Sequence, residues 1–287
     1  MRSLPLLGLA GCVGATTPAP PAPPPPLPPA LAALRAPDRP AIIAHRGGSR
    51  MGPEETLQAL SASVAAGAQV LELDVHGSAD GVPVCIHDDT LDRTTSGTGP
   101  VSALPLAQLQ ALDAGHHDPD WRGRGARIPT LAEVLAAFPD MPFVLEIKQT
   151  EPPITDTVLE VIAGAGATER VIVASFDADV LAAVRAAPDG PVTSFAAGEV
   201  VDFLWIDDDD PWRAPAPFMQ IPPSFAGMDL VSPDLLARAE RLGVGVQVWT
   251  ITDEDEMRAL VERGVHGIMT PDPATLARVL GGGEPPR

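Results

Sequence analysis

The chain is organised around Val70-Leu71-Glu72-Leu73-Asp74-Val75-His76, a run in which apolar and ionisable residues alternate. Alternation of this kind predicts a β-strand, in which side chains two positions apart share one face. A rise of about 3.3 Å per residue places the Cα atoms of Glu72 and Asp74 about 7 Å apart. Two carboxylates that close repel each other, so a bound divalent cation is expected between them. The alternative is a solvated polar face on a half-buried strand.

A second apolar run follows a turn at Asp80-Gly81 and ends at His87-Asp88. Its residues, Val82-Pro83-Val84-Cys85-Ile86, predict a short strand bounded by turn residues. A carboxylate pair at the end of one strand and a histidine at the end of the next are typical of a metal-assisted acid/base site. The sequence therefore predicts chemistry at the ends of these strands.

Strands and helices alternate along the remaining chain. A buried strand at Ala41-Ile42-Ile43-Ala44 leads to His45-Arg46, and a helix is predicted from Pro53 through Ala66. Further strands are expected at 143–148, 171–176, 191–195, 245–249 and 267–269. One further helix is expected to start at residue 128, and others are expected at 155–165, 178–187, 233–242 and 253–263. Residues 88–127 form a long polar insertion, and residues 198–227 follow no clear period.

This repeated alternation predicts an α/β fold with a parallel sheet. An open sheet of this class usually carries a Gly-rich nucleotide-binding loop, and the sequence contains none. We therefore expect a TIM (β/α)8 barrel at residues 39–281, with a small polar insertion after the second or third strand. The length of 287 residues and the hydrophobic content of 45% are sufficient for the core of such a barrel.

The formal net charge of −19 argues against nucleic acid as a partner, because the sequence has no basic stripe to displace counterions from phosphates. A substrate with a single phosphate is compatible with this charge when positive residues are concentrated in the site. The two cysteines, Cys12 and Cys85, lie in the N-terminal appendage and in an apolar strand. No structural disulfide is therefore expected.

Residues 1–12 are predicted to be a lipoprotein-type signal peptide. Met1-Arg2 supplies positive charge, and the apolar run from Leu4 to Ala10 is too short to span a bilayer. Leu9-Ala10-Gly11-Cys12 resembles the lipobox of bacterial lipoproteins, which implies cleavage before Cys12 and lipidation of its thiol. The alternatives are an ordinary signal peptide and a start codon placed too far downstream.

Residues 13–38 are rich in proline and alanine, and we predict that they form a disordered, semi-rigid polyproline tether. A ligand for proline-binding modules is the alternative. A lipidated cysteine before a stiff tether predicts a protein of the bacterial cell envelope, either lipid-anchored or periplasmic. Contact with a membrane is expected only through this anchor.

Seven spaced motifs lie along residues 40–280: His45-Arg46-Gly47, Pro53-Glu54-Glu55-Thr56, Glu72-Leu73-Asp74-Val75, His87-Asp88, Glu146-Ile147-Lys148, Ser175-Phe176 and Val248-Trp249-Thr250. Their order and spacing resemble those of the glycerophosphodiester phosphodiesterase family. The chain departs from the family at Glu55, where the family usually has Asn. Glu55 is expected either to face solvent near the start of a helix, or to reach the site and add negative charge there.

The resemblance implies a TIM barrel that uses a divalent cation, Ca²⁺ or Mg²⁺. It implies three carboxylate ligands, which suit a hard ion that prefers oxygen: Glu72, Asp74 and Glu146. It also implies a catalytic acid/base pair of imidazoles, His45 and His87. The substrate and its phosphate are then expected to be held by five further residues: Arg46, Lys148, Phe176, Gln220 and Trp249.

The implied activity is hydrolysis of a small-molecule glycerophosphodiester to glycerol 3-phosphate and an alcohol. Attack by the neighbouring glycerol hydroxyl through a cyclic phosphate and direct attack by water both remain open. A phospholipase D-like enzyme that acts on lipid phosphodiesters is an alternative. A weakly catalytic surface lipoprotein, which keeps the pocket for ligand capture, is the alternative from another class.

Overall fold

The computed structural model describes residues 26–35, 37–206 and 212–281. The strands of this part are β1 (Ala41–Ala44), β2 (Val70–Gly77), β3 (Pro83–Cys85), β4 (Phe143–Ile147), β5 (Val171–Ala174), β6 (Val192–Thr193), β7 (Phe218–Ile221), β8 (Ser224–Phe225), β9 (Met228–Asp229), β10 (Gly245–Val248) and β11 (Gly267–Thr270). The helices are α1 (Pro29–Arg35), α2 (Leu57–Ala65), α3 (Leu106–Leu109), α4 (Leu131–Ala137), α5 (Thr155–Gly164), α6 (Ala178–Ala186), α7 (Ala197–Leu204), α8 (Pro233–Arg241), α9 (Glu254–Arg263) and α10 (Pro273–Gly281). Among these helices, none combines the length and the apolar character that crossing a membrane requires.

Eight parallel strands of the described chain form one barrel. Their order around it is β6-β5-β4-β2-β1-β11-β10-β7. A parallel bridge between Ser194, just after β6, and Phe218 in β7 joins the two end strands, so the barrel is nearly closed. Helices on the outside and side chains on the inside bury these strands on both faces. The predicted (β/α)8 barrel is confirmed.

The second apolar run is the return arm of a hairpin rather than the next barrel strand. β3 pairs with β2 in antiparallel fashion, with Cys85 opposite Val75. The N–H of Ile86 then donates to the carbonyl oxygen of Asp74 at 3.0 Å. Because the chain reverses at the turn, His87 returns to the level of the acidic residues on β2.

The polar insertion follows the second barrel strand and has a small hydrophobic core of its own. Buried side chains from the insertion and its two flanks form one cluster: Val84, Ile86, Leu91, Val101, Leu109, Ala114, Ala126 and Ile128. Packed side chains of this kind hold a segment in one conformation. The insertion can therefore present side chains to the neighbouring strand ends in fixed positions.

Helix α2 begins at Leu57, so the predicted start at Pro53 is wrong by one turn. Thr56 is the N-cap residue, and its side chain accepts a hydrogen bond from the N–H of Ala59. Glu55 has a φ of 64°, in the left-handed region, which a right-handed helix does not contain. The residues before the cap therefore form turns that lead the chain back toward the strand ends.

Helix α1 lies within the segment that the composition assigns to a disordered tether. Its Leu31 is fully buried and its Leu34 is 6% exposed. Both belong to one cluster with Ile43 and Phe218 of the barrel strands. The prediction of a tether through residue 38 is wrong for this helix, because two leucines three positions apart give it an apolar face that the barrel covers. The signal peptide with Cys12, and the rest of the tether through residue 25, lie outside the described residues.

Replacing Leu31 by Ala is expected to destabilise the barrel, because a fully buried side chain is lost and a cavity opens beneath α1. Substitutions of this type cost about 2–5 kcal/mol. Urea unfolding followed by circular dichroism measures the change. The control is Ala33→Ser on the exposed side of the same helix, expected to change the free energy of unfolding by less than about 0.5 kcal/mol. Equal stability of the two variants would contradict the packing of α1 on the barrel.

Candidate active site

Three carboxylates meet near the carboxyl ends of two neighbouring strands. β2 and β4 pair in parallel with Asp74 opposite Glu146, and Glu72 lies two positions earlier on the same face of β2. One oxygen from each of the three residues lies within 4.8 Å of the others. Glu72 is 4% exposed and Asp74 is 1% exposed, so solvent does little to screen their repulsion.

The donor set of this cluster fits a hard divalent cation. Asp74 Oδ2 is buried and has no hydrogen-bond partner among the described residues. Arg46 Nε lies 3.8 Å from this oxygen, too far for a hydrogen bond. A buried polar atom without a hydrogen bond costs free energy, and a bound cation would lower that cost. Carboxylate oxygens are the ligands that Ca²⁺ and Mg²⁺ prefer. The residues present are thus suited to hold the metal ion that the sequence predicts.

Lys148 places a positive charge beside the cluster. Its Nζ lies 3.1 Å from Asp74 Oδ1 and 2.9 Å from Glu146 Oε1. Burial and the charge of Asp74 raise the pKa of both Glu72 and Glu146. Burial alone would lower the pKa of Lys148, but Asp74 and Glu146 raise it overall. The ammonium group is therefore charged at neutral pH and offsets part of the carboxylate repulsion.

His45 and Arg46 follow β1 in a tight turn, in which Arg46 has a left-handed φ of 52°. The backbone N–H of Arg46 donates to Glu72 Oε2 at 2.7 Å. His45 Nε2 lies 4.0 Å from Glu72 Oε2 and 3.5 Å from Thr250 Oγ1. Burial, and after it the charge of Arg46, lowers the pKa of His45 to about 4. Its imidazole is neutral at pH 7 and can accept a proton.

His87 is oriented by the residue that follows it. Its Nδ1 lies 2.7 Å from Asp88 Oδ1. Because the carboxylate accepts, the proton of the neutral ring lies on Nδ1, which leaves Nε2 free to exchange protons in the cavity. A carboxylate behind a histidine also stabilises the imidazolium that forms when the ring takes a second proton.

A cavity of about 310 Å³ opens at this end of the barrel and has two unlike sides. The side formed by β1 to β4 and their connections carries the ionisable residues His45, Arg46, Glu72, His87, Glu146 and Lys148. The opposite side carries the apolar residues Phe176, Phe195, Ala197, Val200 and Trp249. The rings of Phe176 and Trp249 meet edge to face at 6.1 Å, and Lys148 Nζ lies 5.8 Å from the centre of the Phe176 ring. The cavity can hold a phosphate on one side and cover carbon atoms on the other.

The residues that the sequence singles out are brought together, with one exception. Nine of them line the cavity: His45, Arg46, Glu72, His87, Glu146, Lys148, Phe176, Gln220 and Trp249. Asp74 lies beneath them in the carboxylate cluster. Gln220 is held in place because its Nε2 donates to Gln247 Oε1 at 2.9 Å. The exception, Cys12, lies outside the described residues.

The sequence did not predict the apolar wall that α7 supplies, nor the contacts of Arg93 and Glu54 behind His87. Val200 falls within residues 198–227, where no period is visible in the sequence, and Ala197 lies just before that segment. Arg93, in the insertion, bonds to both Asp88 and Glu54. The dipeptide His87-Asp88 is a signal that could have indicated a carboxylate behind the His87 ring. Nothing in the spacing relates Arg93 to Glu54, which lies 39 positions earlier.

Glu55 is 3% exposed and lies beside the carboxylate cluster, so the alternative that it faces solvent is wrong. Its Oε1 accepts from the N–H of Asp74 at 3.3 Å, and its Oε2 has no partner within the described chain. Its left-handed φ of 64° favours Asn over Glu, which gives a physical reason for the Asn of the family. Burial and the charge of Asp74 raise the pKa of Glu55 well above its ordinary value.

The metal-free protein is expected to lose stability as the pH rises above 4.5, the ordinary pKa of glutamate. In that range Glu55 retains a proton in the folded protein, whereas the unfolded chain has already lost it. The folded state then binds more protons, so the free energy of unfolding falls with pH. Glu55→Gln keeps an acceptor for the Asp74 N–H but does not titrate, so this variant should show a flatter profile.

Urea unfolding between about pH 5 and about pH 8, in excess chelator, measures this dependence. The control is Glu160→Gln, the same chemical change at an exposed position of α5. It should follow the wild-type profile. Parallel profiles for the wild type and Glu55→Gln would show that Glu55 is not the source of the pH dependence.

The chain is similar to known proteins both in sequence and in fold. The family model described as the Glycerophosphoryl diester phosphodiesterase family matches residues 45–275. A glycerophosphodiester phosphodiesterase of Caldanaerobacter subterraneus subsp. tengcongensis is 33% identical over 245 residues, which cover 83% of this chain and 97% of that protein.

Two solved structures share the fold. The glycerophosphoryl diester phosphodiesterase domain of an uncharacterized Mycobacterium tuberculosis protein superimposes with a TM-score of 0.75 at 27% identity, covering 86% of this chain and 100% of that chain. A phosphodiesterase of Oleispira antarctica, in complex with the product sn-glycerol-3-phosphate, has a TM-score of 0.71 at 27% identity. That match covers 85% of this chain and 97% of the Oleispira chain.

Proposed function

Since the chain belongs to the glycerophosphoryl diester phosphodiesterase family, we propose that it hydrolyses a small-molecule glycerophosphodiester to glycerol 3-phosphate and an alcohol. The chain is an enzyme of the phosphodiesterase class. The observation that carries the proposal is the cavity lined by two histidines, two cationic side chains and the carboxylates of Glu72 and Glu146, with Asp74 completing the carboxylate cluster beneath it. The Oleispira structure, which contains sn-glycerol-3-phosphate, supports the same substrate class.

Glu72, Asp74 and Glu146 would hold one divalent cation, Ca²⁺ or Mg²⁺, beside the histidines. When bound, such an ion stabilises negative charge on phosphate oxygens and orients the substrate. The side chains of Arg46 and Lys148 would bind the free phosphate oxygens from the same side of the cavity. Phe176 and Trp249 would cover the carbon atoms of the substrate and limit the access of water to it.

The two histidines would divide the proton transfers. His45, neutral at pH 7, would accept the proton of the attacking hydroxyl. His87 would donate a proton to the departing alkoxide from Nε2 of its imidazolium form, which the Asp88 carboxylate behind it stabilises. Attack by water would give glycerol 3-phosphate in one step with these two transfers. Attack by the neighbouring glycerol hydroxyl would give a cyclic phosphate, which water would then open in a second step with the two histidines in exchanged roles. Ser175 would be a structural residue of the cavity wall, because its hydroxyl donates to the carbonyl oxygen of Ile147.

Turnover of glycerophosphocholine with and without a chelator tests this function. Removal of the metal should abolish turnover, because the carboxylates would then repel the phosphate, and added Ca²⁺ or Mg²⁺ should restore it. Asp74→Asn is the matched variant, and the cation concentration that restores the wild type should not restore it. Undiminished turnover in a metal-free sample would contradict the assignment of the carboxylates.

Replacing either histidine by Ala is expected to lower kcat about 10²- to 10⁴-fold, which is the usual cost of losing a positioned proton donor or acceptor. His45→Ala and His87→Ala should both remain folded, since each side chain borders the cavity. The control is His117→Ala, which alters an exposed histidine of the insertion. A histidine variant that retains most of its kcat would identify that residue as structural.

We also propose a location in the bacterial cell envelope, with lipidation of Cys12. The support is the sequence Leu9-Ala10-Gly11-Cys12. In cells, Cys12→Ala should release the active domain from the membrane fraction or block its processing, and mass spectrometry of the wild type should find a lipid on Cys12. A wild-type protein with an unmodified Cys12 in the soluble fraction would refute this location.

A further inference from the structure

A chain of ion pairs connects the polar insertion to His87. On one side, Arg93 Nε donates to Asp88 Oδ2 at 2.6 Å, and a terminal nitrogen of Arg93 donates to Asp88 Oδ1 at 3.0 Å. Asp88 Oδ1 in turn lies 2.7 Å from Nδ1 of His87. The orientation of the His87 ring is thus coupled to the guanidinium group of Arg93 through one carboxylate.

The same guanidinium group is also connected to Arg46, through the carboxylate of Glu54. Its two terminal nitrogens donate to the two oxygens of Glu54 at 3.0 and 2.7 Å. Glu54 Oε1 also accepts from a terminal nitrogen of Arg46 at 3.4 Å. Arg93 therefore uses its fork of donors on two carboxylates at once, an arrangement that the single ammonium of a lysine cannot reproduce.

We propose that Arg93 is a positioning residue of the hydrolysis. By holding Asp88 and Glu54 together, it fixes the imidazole of His87 and the guanidinium group of Arg46 relative to each other. Arg93 does not border the cavity, so it acts through these neighbours and not on the substrate. The inference rests on the proposed function, in which His87 donates a proton and Arg46 binds the phosphate.

Loss of the guanidinium group would affect both His87 and Arg46. Without Arg93, the Asp88 and Glu54 carboxylates would face each other with no cation between them and would repel. Glu54 would then compete with the substrate phosphate for Arg46. Asp88 would move away from His87, so the ring would lose the partner that fixes its tautomer. The proton transfer and the phosphate binding should therefore weaken together.

The steady-state kinetics of Arg93→Met, with glycerophosphocholine as the substrate, test this proposal. A variant without the guanidinium group should show kcat lowered about 10- to 100-fold, the usual effect of removing the partner that orients a functional histidine, together with a raised KM. Arg93→Lys should fall between this variant and the wild type, because an ammonium keeps the positive charge between the two carboxylates but cannot form the paired hydrogen bonds that the guanidinium group makes with each of them. In Arg93→Ala, added guanidinium ion should restore part of kcat.

The matched control is Arg258→Met. The Arg258 side chain is 44% exposed and that of Arg93 is 46% exposed, and both pair with glutamate, but Arg258 lies on the outer helix α9. This variant should keep the kcat and KM of the wild type. A folded Arg93→Met with unchanged kcat and KM would overturn the proposal. If guanidinium ion restores no kcat in Arg93→Ala, Arg93 only holds the insertion in place. That result would also overturn the proposal.

The ring ¹⁵N spectrum of His87 provides a readout independent of turnover. The wild type should show one tautomer, with the proton on Nδ1, and Arg93→Met should show a mixture. An unchanged ring spectrum in the variant would overturn the proposal even if the kinetics change. A wild type that does not hydrolyse glycerophosphocholine would defeat the proposed function, whereas the spectrum would still decide whether Arg93 orients His87.

Discussion

The parallel register between β2 and β4 is the constraint on which the rest of the site depends. It places Asp74 opposite Glu146, with Glu72 on the same face of its strand, so three carboxylates share a space with little access to water. Such an arrangement is unfavourable unless positive charge lies close by. Lys148 supplies part of that charge, and the donor set suits a divalent cation for the remainder.

The barrel and the elements added to it make different contributions. Parallel strands bring residues that are distant in the sequence to one end of the molecule, which accounts for His45 and Lys148. His87 comes from a hairpin instead, whose antiparallel return sets the ring beside β2. The insertion then adds Arg93, held by a small core of its own, behind that ring. The position of the His87 ring therefore depends on structure outside the barrel.

Much of this arrangement could be predicted from the sequence, because it follows from periods of the backbone. The period of two in an extended chain places Glu72 and Asp74 on one face, whatever the tertiary structure. The direction of β3 could not be predicted in the same way, because an apolar run reads alike as a parallel strand and as a hairpin arm. The burial of Leu31 was hidden by its proline-rich surroundings, since composition does not reveal which surface a short helix can cover. The left-handed conformation of Glu55 was hidden as well, because that conformation is set by the turn around it and not by its own preference.

We propose that the register of β2 and β4 creates a cation site at which the phosphodiester is hydrolysed. Anomalous diffraction from crystals soaked with Mn²⁺, which accepts the same oxygen ligands as Mg²⁺ and Ca²⁺, tests it most directly. If these carboxylates bind the cation, an anomalous peak should lie about 2.0–2.6 Å from oxygens of Glu72, Asp74 and Glu146, on the side of the cluster that faces the cavity. Crystals that bind Mn²⁺ only elsewhere, or that show no peak at these carboxylates at saturating Mn²⁺, would contradict it.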